Sequence, residues 1–280
     1  MRGAPHSLDR GSLDIDGQVK GVYQTRKPKG HAMHHDAFAT LDALQSRLAD
    51  HRPLAPELFR SLRKDMVLRY TYHSNAIEGN ALTLIETKVV LEDGLTIGGK
   101  LLRHHLEAVN HADAITHLEN LAKENILLDE SGLKNLQQLV LRGLDNEAGR
   151  YRGCNVIISG AGHTPPDHLL VGERMQKFFD WYRGEAQSLH PVERAAKVHA
   201  DLVIIHPFRD GNGRTSRLAM NLELMRAGFP TAIIPVEDRV AYYQNLDMAG
   251  TDADYGPFVK QLAQLVERSF DPYWYLLGLA

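Results

Sequence analysis

Cysteine is almost absent from this sequence, in which Cys154 is the only one among 280 residues. A single thiol excludes an internal disulfide framework and every zinc site that needs several cysteines. A chain of this length can nevertheless bury a substantial apolar core. Because so low a cysteine content is typical of proteins in a reducing compartment, we predict a cytoplasmic protein.

The sequence also lacks long apolar runs and a charge excess of either sign. No run approaches the roughly 18 to 20 apolar residues that span a bilayer, and the polar first 36 residues contain no signal-peptide core. Lysine and arginine number 32 against 35 acidic residues, which gives a net charge of -3. Such a chain has no global field for gathering nucleic acid. We therefore expect neither a membrane nor a nucleic acid as a partner, and any anion site must be local.

Helical periodicity dominates the chain after residues 1–36, which we interpret as a flexible arm. Residues 37–127 are predicted to form an N-terminal helical region, and residues 128–280 a core domain. Apolar side chains at helical spacing from Phe38 to Leu48 predict a first helix. Further helices are predicted at 57–79, 101–124, 131–142, 170–184, 191–205, 214–227, 237–248 and 255–270. Thr83 and Glu86 have the spacing of a capping box, which marks a further helix start. The pattern predicts an all-α fold.

One segment breaks the helical pattern. Residues 155–160 are rich in β-branched side chains, are bounded by Gly153 and Gly160, and are followed by Pro165-Pro166. This combination predicts a small β-hairpin.

Residues 206–217 read His-Pro-Phe-Arg-Asp-Gly-Asn-Gly-Arg-Thr-Ser-Arg. A buried helix is predicted to run up to His206 and to stop at Pro207, whose ring cannot continue it. The glycines Gly211 and Gly213 on either side of Asn212 accept positive φ, so this stretch is predicted to be a turn that opens the next helix. His206 is thus displayed at a helix end.

Such a turn directs several backbone N–H groups at one point, where the helix dipole also favours an anion. Arg214 and Arg217 lie three residues apart on one face, and each can hold phosphate oxygens with its planar guanidinium. Two arginines indicate a polyphosphate. The carboxylate of Asp210 beside that site would repel phosphate unless a divalent cation, Mg²⁺ or Mn²⁺, lay between them.

The run resembles the signature of the Fic (Fido) family, HPFx[D/E]GNGRxxR, at every specified position. It is not a Walker P-loop, because no strand precedes the glycines and no Gly-Lys-Ser/Thr sequence follows them. The resemblance implies a Fic-fold helical bundle with a small β-hairpin flap. It also implies a protein adenylyltransferase, which transfers AMP from ATP to a Ser, Thr or Tyr hydroxyl of a target protein.

By that resemblance, His206 is the general base that takes the proton from the attacking hydroxyl. Asp210 would hold the metal ion on the phosphates, Arg214 would neutralise the β- and γ-phosphates, and Arg217 would take the γ-phosphate. The remaining predicted ATP-binding residues belong to the nest and the first helical turn, namely Gly211, Asn212, Gly213, Thr215 and Ser216.

The resemblance also assigns the hairpin and a later helix. The hairpin would be a flap that borders the nucleotide and aligns a segment of the target protein by adding it as a β-strand. Its residues are Val156, Ile157, Ile158, Ser159, Gly160 and His163. Tyr242 and Tyr243 lie in the helix whose aromatics line the adenine pocket in the family, although packing of one of them in the core fits equally well. In some relatives an asparagine contacts the nucleotide seven residues beyond the second tyrosine, where this chain has Gly250.

Ser74-Asn-Ala-Ile-Glu78-Gly79 resembles the inhibitory motif [S/T]xxxE[G/N] of class II Fic proteins, whose inhibitory helix precedes the core. By this resemblance Glu78 pairs with Arg217 and takes the place of the γ-phosphate, so that ATP binds only in a pose unfit for attack.

Two other functions remain open on these residues. Relatives with the same glutamate can remove AMP from a target, which would make Glu78 the group that orients water in a hydrolase. The chain could also be a catalytically silent module that senses nucleotides. Neither the target protein nor the oligomeric state, for which a homodimer is an option, follows from the sequence.

Overall fold

The computed structural model describes residues 31–279. Eleven α-helices lie within this range: α1 His31–Ala49, α2 Pro56–Ile77, α3 Leu84–Lys88, α4 Leu102–Lys123, α5 Glu130–Val140, α6 Val171–Arg183, α7 Pro191–Ile205, α8 Asn212–Arg226, α9 Arg239–Asp252, α10 Gly256–Arg268 and α11 Asp271–Leu277. No residue of the described range lies in a β-strand. Among these residues no helix is long and apolar enough to cross a membrane.

Helix α8 is the centre of the fold. Its residues are buried almost without interruption from Asn212 to Leu224, so that neighbouring helices surround it. Burial on all sides requires that its polar side chains find partners within the protein. The side-chain amide of Asn221 donates to the carbonyl of Ala232 and accepts from its backbone N–H. Glu223 forms an ion pair with Arg194.

Two apolar clusters flank α7 and α8. One is built with α1, α9, α10 and α11, and contains Leu48, Met220, Phe258 and Phe270. The other is built with α4, α5 and α6, and contains Leu118, Leu136, Phe178 and Leu222. The helix pair is therefore held from both sides, and the loop that joins α7 to α8 is fixed at one end of the core.

Helix α2 brings its C-terminal end to the start of α8. Pro56 occupies its first turn, where the missing N–H costs nothing. Gly79 adopts a φ of 91° and ends the helix. The following helix α3 begins at a capping box in which Thr83 and Glu86 satisfy each other's backbone N–H groups, as the sequence predicts.

Two parts of the fold differ from the sequence-based expectation. The first helix begins at His31, inside the segment predicted as an arm, and residues 1–30 of that segment lie outside the described residues. Helix α11 is not among the predicted helices. Its Asp271-Pro272 start is compatible with a helix, because proline is accepted in the first turn.

The structure does not show the predicted β-hairpin. Residues 150–167 form a loop without strand pairing. Its backbone is held by side chains instead: the Arg152 guanidinium donates to the carbonyls of Cys154 and Pro166, and Asn155 bonds Asp167 and the backbone N–H of His168. These contacts satisfy polar groups that a strand ladder would otherwise pair.

Candidate active site

His206 ends helix α7 in a left-handed conformation, with φ of 50°. Its Nδ1 lies 3.3 Å from the carbonyl oxygen of Val203, and because a carbonyl only accepts, this contact places the ring proton on Nδ1. Burial, assisted by the charge of Arg152, lowers the pKa of His206 below its usual value. The imidazole is therefore neutral near pH 7, and Nε2 keeps its lone pair.

The loop from Pro207 to Gly211 is shaped by Asn212. The side-chain amide of Asn212 accepts from the backbone N–H of Phe208 and donates to the carbonyl of the same residue, both at 2.9 Å. Gly211 has a φ of 78° and lies against the side chain of Leu141, so a larger residue would be strained there. These contacts set the direction in which α8 starts.

The carboxylate of Glu78 lies directly on the predicted anion nest. A Cβ added to Gly213 would overlap Glu78 Oε1, so the absence of a side chain at this position admits the carboxylate to the N-terminus of α8. Helix N-termini favour anions. The position predicted for a phosphate group is thus close to a carboxylate from helix α2.

Arg217 is 1% exposed and contacts the segment that ends α2. Its guanidinium donates to Glu78 Oε1 at 2.8 Å, to Ser74 Oγ at 3.0 Å and to the Ser74 carbonyl at 2.8 Å. A fourth bond, 3.2 Å long, goes to the hydroxyl of Tyr242. Ser74 and Glu78 thus meet at Arg217, and Gly79 ends the helix that carries them.

Arg214 has a different set of partners, one of which had no role in the sequence analysis. Its Nη1 lies 3.2 Å from Glu107 Oε1, and its Nη2 lies 3.4 Å from Asp210 Oδ1. Burial alone would raise the pKa of Glu107, but Arg214, Arg103 and Asn80 outweigh it, so that the pKa is lowered. Glu107 shares the buried face of α4 with other polar residues, His105, Asn110 and His111, and this polar stripe at helical spacing was the available signal.

Asp210 fits the predicted role in metal binding by its chemistry and position. Its side chain is 45% exposed and borders a cavity of about 380 Å³, also lined by Arg103, Leu144, Asp145 and Arg209. No group of three or more metal-ligating side chains occurs among residues 36–279. Mg²⁺ commonly uses one or two carboxylates together with substrate phosphates, so the oxygen of Asp210 suits such a shared site.

The other predicted nucleotide residues separate into buried and accessible groups. Tyr242 is 1% exposed and lies in the apolar core, with its hydroxyl 2.9 Å from His199 Nε2. Tyr243 is 40% exposed and donates to the carbonyl of Ile77, at the end of α2. The core alternative thus applies to Tyr242.

Thr215 and Ser216 are both buried in the first turns of α8. The Ser216 hydroxyl donates to the carbonyl of Asn212 at 2.7 Å. The Thr215 hydroxyl has no hydrogen-bond partner among the described residues. Of the two hydroxyl groups, that of Ser216 therefore already donates its proton to the backbone of its own helix.

The flap segment lies beside helix α9. Ile157 is 89% exposed, whereas Val156 and Ile158 are half-buried and Ser159 and Gly160 are exposed. This alternation is typical of an extended segment with one free face. His163 is anchored from the other side, since its Nδ1 lies 3.3 Å from Asp247 Oδ1 and its ring occupies the space that a side chain at Gly250 would need.

Comparisons with known proteins agree with this arrangement. The model of the Fic/DOC family matches residues 127–224. The chain is 39% identical over 239 residues to a protein adenylyltransferase Fic of Drosophila willistoni, covering 84% of this chain and 47% of the relative.

Two solved structures are similar over most of the chain. Fic-1 of C. elegans has a TM-score of 0.80 and 33% identity, covering 89% of this chain and 74% of that one. A Fic domain-containing signaling protein of Bacteroides thetaiotaomicron has a TM-score of 0.78 and 30% identity, covering 87% of this chain and 99% of that one. The chain spans about half the length of the curated relatives it matches.

Proposed function

The chain belongs to the Fic family, and on that premise we propose that it is a protein adenylyltransferase, which transfers AMP from ATP to a hydroxyl of a target protein. The single observation that supports this most strongly is the position of His206 at the end of α7, next to the glycine turn that starts α8 and its two buried arginines. The similarity to proteins named adenylyltransferases supports it independently.

His206 Nε2 takes the proton from the target hydroxyl as the oxygen attacks the α-phosphorus. The new O–P bond forms while the bond from the α-phosphorus to the α,β-bridging oxygen breaks, and pyrophosphate leaves. A general base of this kind contributes about 10² to 10⁴ in rate. The Nδ1 contact with Val203 holds the imidazole in the tautomer that this step requires.

The N-terminus of α8 and Arg214 hold the negative charge of the phosphates during transfer. Arg217 binds the γ-phosphate once Glu78 has left it. Asp210 would hold a divalent cation, which would supply charge neutralisation and orientation of the leaving group. The Gly211 N–H donates to Asp210 Oδ1 at 2.6 Å and holds the carboxylate at the edge of the nest.

The loop at residues 156–163 is the proposed flap. Its exposed Ile157 and its free extended face suit main-chain pairing with an extended segment of the target. Such pairing depends little on the target's sequence, so other surfaces must select the target.

The single exposed thiol of Cys154 fits the predicted cytoplasmic location.

Autoinhibition by Glu78 is part of the proposal. The carboxylate pairs with Arg217 and lies on Gly213, where it excludes a phosphate group. ATP would then bind with its phosphates displaced, and the α-phosphorus would not face the target hydroxyl. Release of the end of α2 restores the site.

The test is incorporation of label from α-³²P-ATP into the protein itself and into lysate proteins. We expect strong labelling by Glu78→Gly and none by the double variant Glu78→Gly/His206→Ala. Absence of labelling by Glu78→Gly, with ATP binding intact, would contradict the transferase and favour the nucleotide-sensing module. Mass spectrometry of the labelled proteins identifies the target and the modified residue type.

A second candidate, removal of AMP from a modified protein, is favoured by one observation. The Glu78 side chain is 32% exposed while it bonds Arg217, so its carboxylate is accessible to a water molecule. Purified AMP-modified protein is incubated with the wild-type chain and Mg²⁺ in the absence of ATP. Release of AMP by the wild type but not by Glu78→Gln would support hydrolysis.

A further inference from the structure

The side chain of Arg103, at the start of α4, is the feature that the proposed mechanism does not use. It bridges two carboxylates: Nε lies 3.0 Å from Glu107 Oε1, and Nη2 lies 2.9 Å from Asp210 Oδ2. The second contact joins residues that are 107 positions apart, so it depends on the packing of α4 beside α8.

The contacts of Asp210 explain the importance of this bond. Oδ1 accepts from the backbone N–H of Gly211 at 2.6 Å and lies 3.4 Å from Arg214 Nη2. Oδ2 accepts from Arg103 at 2.9 Å. Of the two oxygens, Oδ2 is the one whose only described partner is an exposed side chain, since 55% of the Arg103 side chain is exposed.

Arg103 is also connected to the inhibitory segment. Glu107, which holds its Nε, accepts a bond of 2.8 Å from Asn80 Nδ2 through its other oxygen. Asn80 follows Glu78 by two residues and donates to the carbonyl of His104 as well. The end of α2 therefore contacts both the γ-phosphate side of the site, through Glu78, and the metal side, through Asn80 and Glu107.

We propose that Arg103 is an electrostatic gate on Asp210, a positioning residue that occupies Oδ2 and competes there with the divalent cation. This inference rests on the proposed function. A guanidinium and a divalent cation repel each other, so each weakens the binding of the other at the same carboxylate. The cation therefore binds more readily once Arg103 moves away, and the contact raises the Mg²⁺ concentration needed for ATP binding.

The gate is weak enough to open. Exposed ion pairs are worth little in water, because solvent replaces the lost contact. The Arg103 guanidinium also bonds Glu107, so a second carboxylate remains near it when it leaves Asp210. This restraint acts on the metal ligand, whereas Glu78 acts on Arg217, and the two restraints are separable by mutation.

The test measures the affinity of the full chain for ATP over a series of Mg²⁺ concentrations, without any transfer step, in wild type and Arg103→Gln. We expect the Mg²⁺ midpoint to fall about two- to tenfold in Arg103→Gln. Arg183→Gln is the matched control, because it removes an equally exposed arginine paired with Asp180 on the remote helix α6. Its midpoint should equal that of the wild type.

Four outcomes would overturn the inference. An unchanged midpoint in Arg103→Gln, or a fall of the same size in Arg183→Gln, contradicts the gate but leaves the transferase proposal intact. Weaker ATP binding by Arg103→Gln at saturating Mg²⁺, without a lower midpoint, would make Arg103 a phosphate ligand instead. Absence of Mg²⁺-dependent ATP binding by the wild type would overturn the proposed function and this inference together.

Discussion

The two arginines of the site lie three residues apart on α8, yet different parts of the fold hold them. Arg217 is held by Ser74 and Glu78 of the segment that ends α2, and by Tyr242. Arg214 is held by Glu107 of α4 and by Asp210 of its own loop. Arg217 is therefore contacted directly by the segment that ends α2, whereas neither carboxylate beside Arg214 belongs to that segment.

This difference distinguishes an arginine that we propose to be regulated, Arg217, from one that is already positioned, Arg214. The arginine proposed for the γ-phosphate is blocked by a removable carboxylate. The arginine proposed for the β- and γ-phosphates is already positioned, because Arg214 Nη1 lies 3.2 Å from the buried Glu107 carboxylate, which Asn80 and Arg103 hold by hydrogen bonds. Parallel substitution of the two arginines tests this difference between them.

The largest expected effect is on transfer. In the Glu78→Gly background, we expect Arg214→Ala to lower the rate of AMP transfer by about 10² to 10³, the typical loss for one preorganised charge-stabilising donor. Arg217→Ala should lower it by only about tenfold, since its partner phosphate lies farther from the reacting atom. Single-turnover kinetics in the common background measures both.

That common background is needed because Arg217→Ala alone also frees Glu78, and one variant cannot separate two coupled roles. Equal losses for the two arginines would show that the proposed division of labour between them is wrong.

A smaller effect is expected on stability. Glu107→Gln leaves the buried Arg214 without its closest carboxylate, and we expect the free energy of unfolding to fall by about 3 kcal/mol. Glu78→Gln should lower it by about 1 kcal/mol or less, because the Glu78 carboxylate is partly exposed and Arg217 keeps Ser74 and Tyr242. Urea denaturation of both variants gives the two values. A larger loss in Glu78→Gln than in Glu107→Gln would reverse the comparison.

The smallest expected effect is a shift of the pH profile. Burial lowers the pKa of His206, so the rate should fall only when the pH drops below the ordinary histidine pKa of about 6.5 and the base is protonated. Glu78 is the nearby negative charge that opposes this shift. Its removal lowers the pKa further, and the acidic limb of kcat/KM should move to lower pH in Glu78→Gly than in Glu78→Asp. Coincident limbs would show that Glu78 does not act on His206.

The sequence predicts the local parts of this structure well and the long-range contacts poorly. The helical periodicity gives most of the helices, and Pro207 together with the glycines gives the break between α7 and α8, because these signals act over a few residues. The capping box at Thr83 is equally local and is confirmed. The family resemblance brings Ser74 and Glu78 to Arg217, which no periodicity could have done.

Other contacts between distant helices could not be predicted. Glu107 and Arg214 are neighbours only because α4 packs beside α8, and nothing in the sequence around either residue indicates the other as its partner. Adjacent tyrosines cannot reveal from sequence which one faces the core, and the structure shows that it is Tyr242. The β-branched residues at 156–158 predict a β-hairpin that the structure does not show, because the pairing partner that makes a strand is not encoded in those residues.

The central claim is that Glu78 and a phosphate compete for Arg217. The most direct measurement compares self-labelling from α-³²P-ATP by the wild type, Glu78→Gln, which keeps the size of the side chain but removes its charge, and Glu78→Gly, which removes both. We predict labelling that rises in this order, with ATP affinity changing far less than the rate. Equal labelling by the three proteins, or less labelling by Glu78→Gly than by the wild type, would contradict the claim.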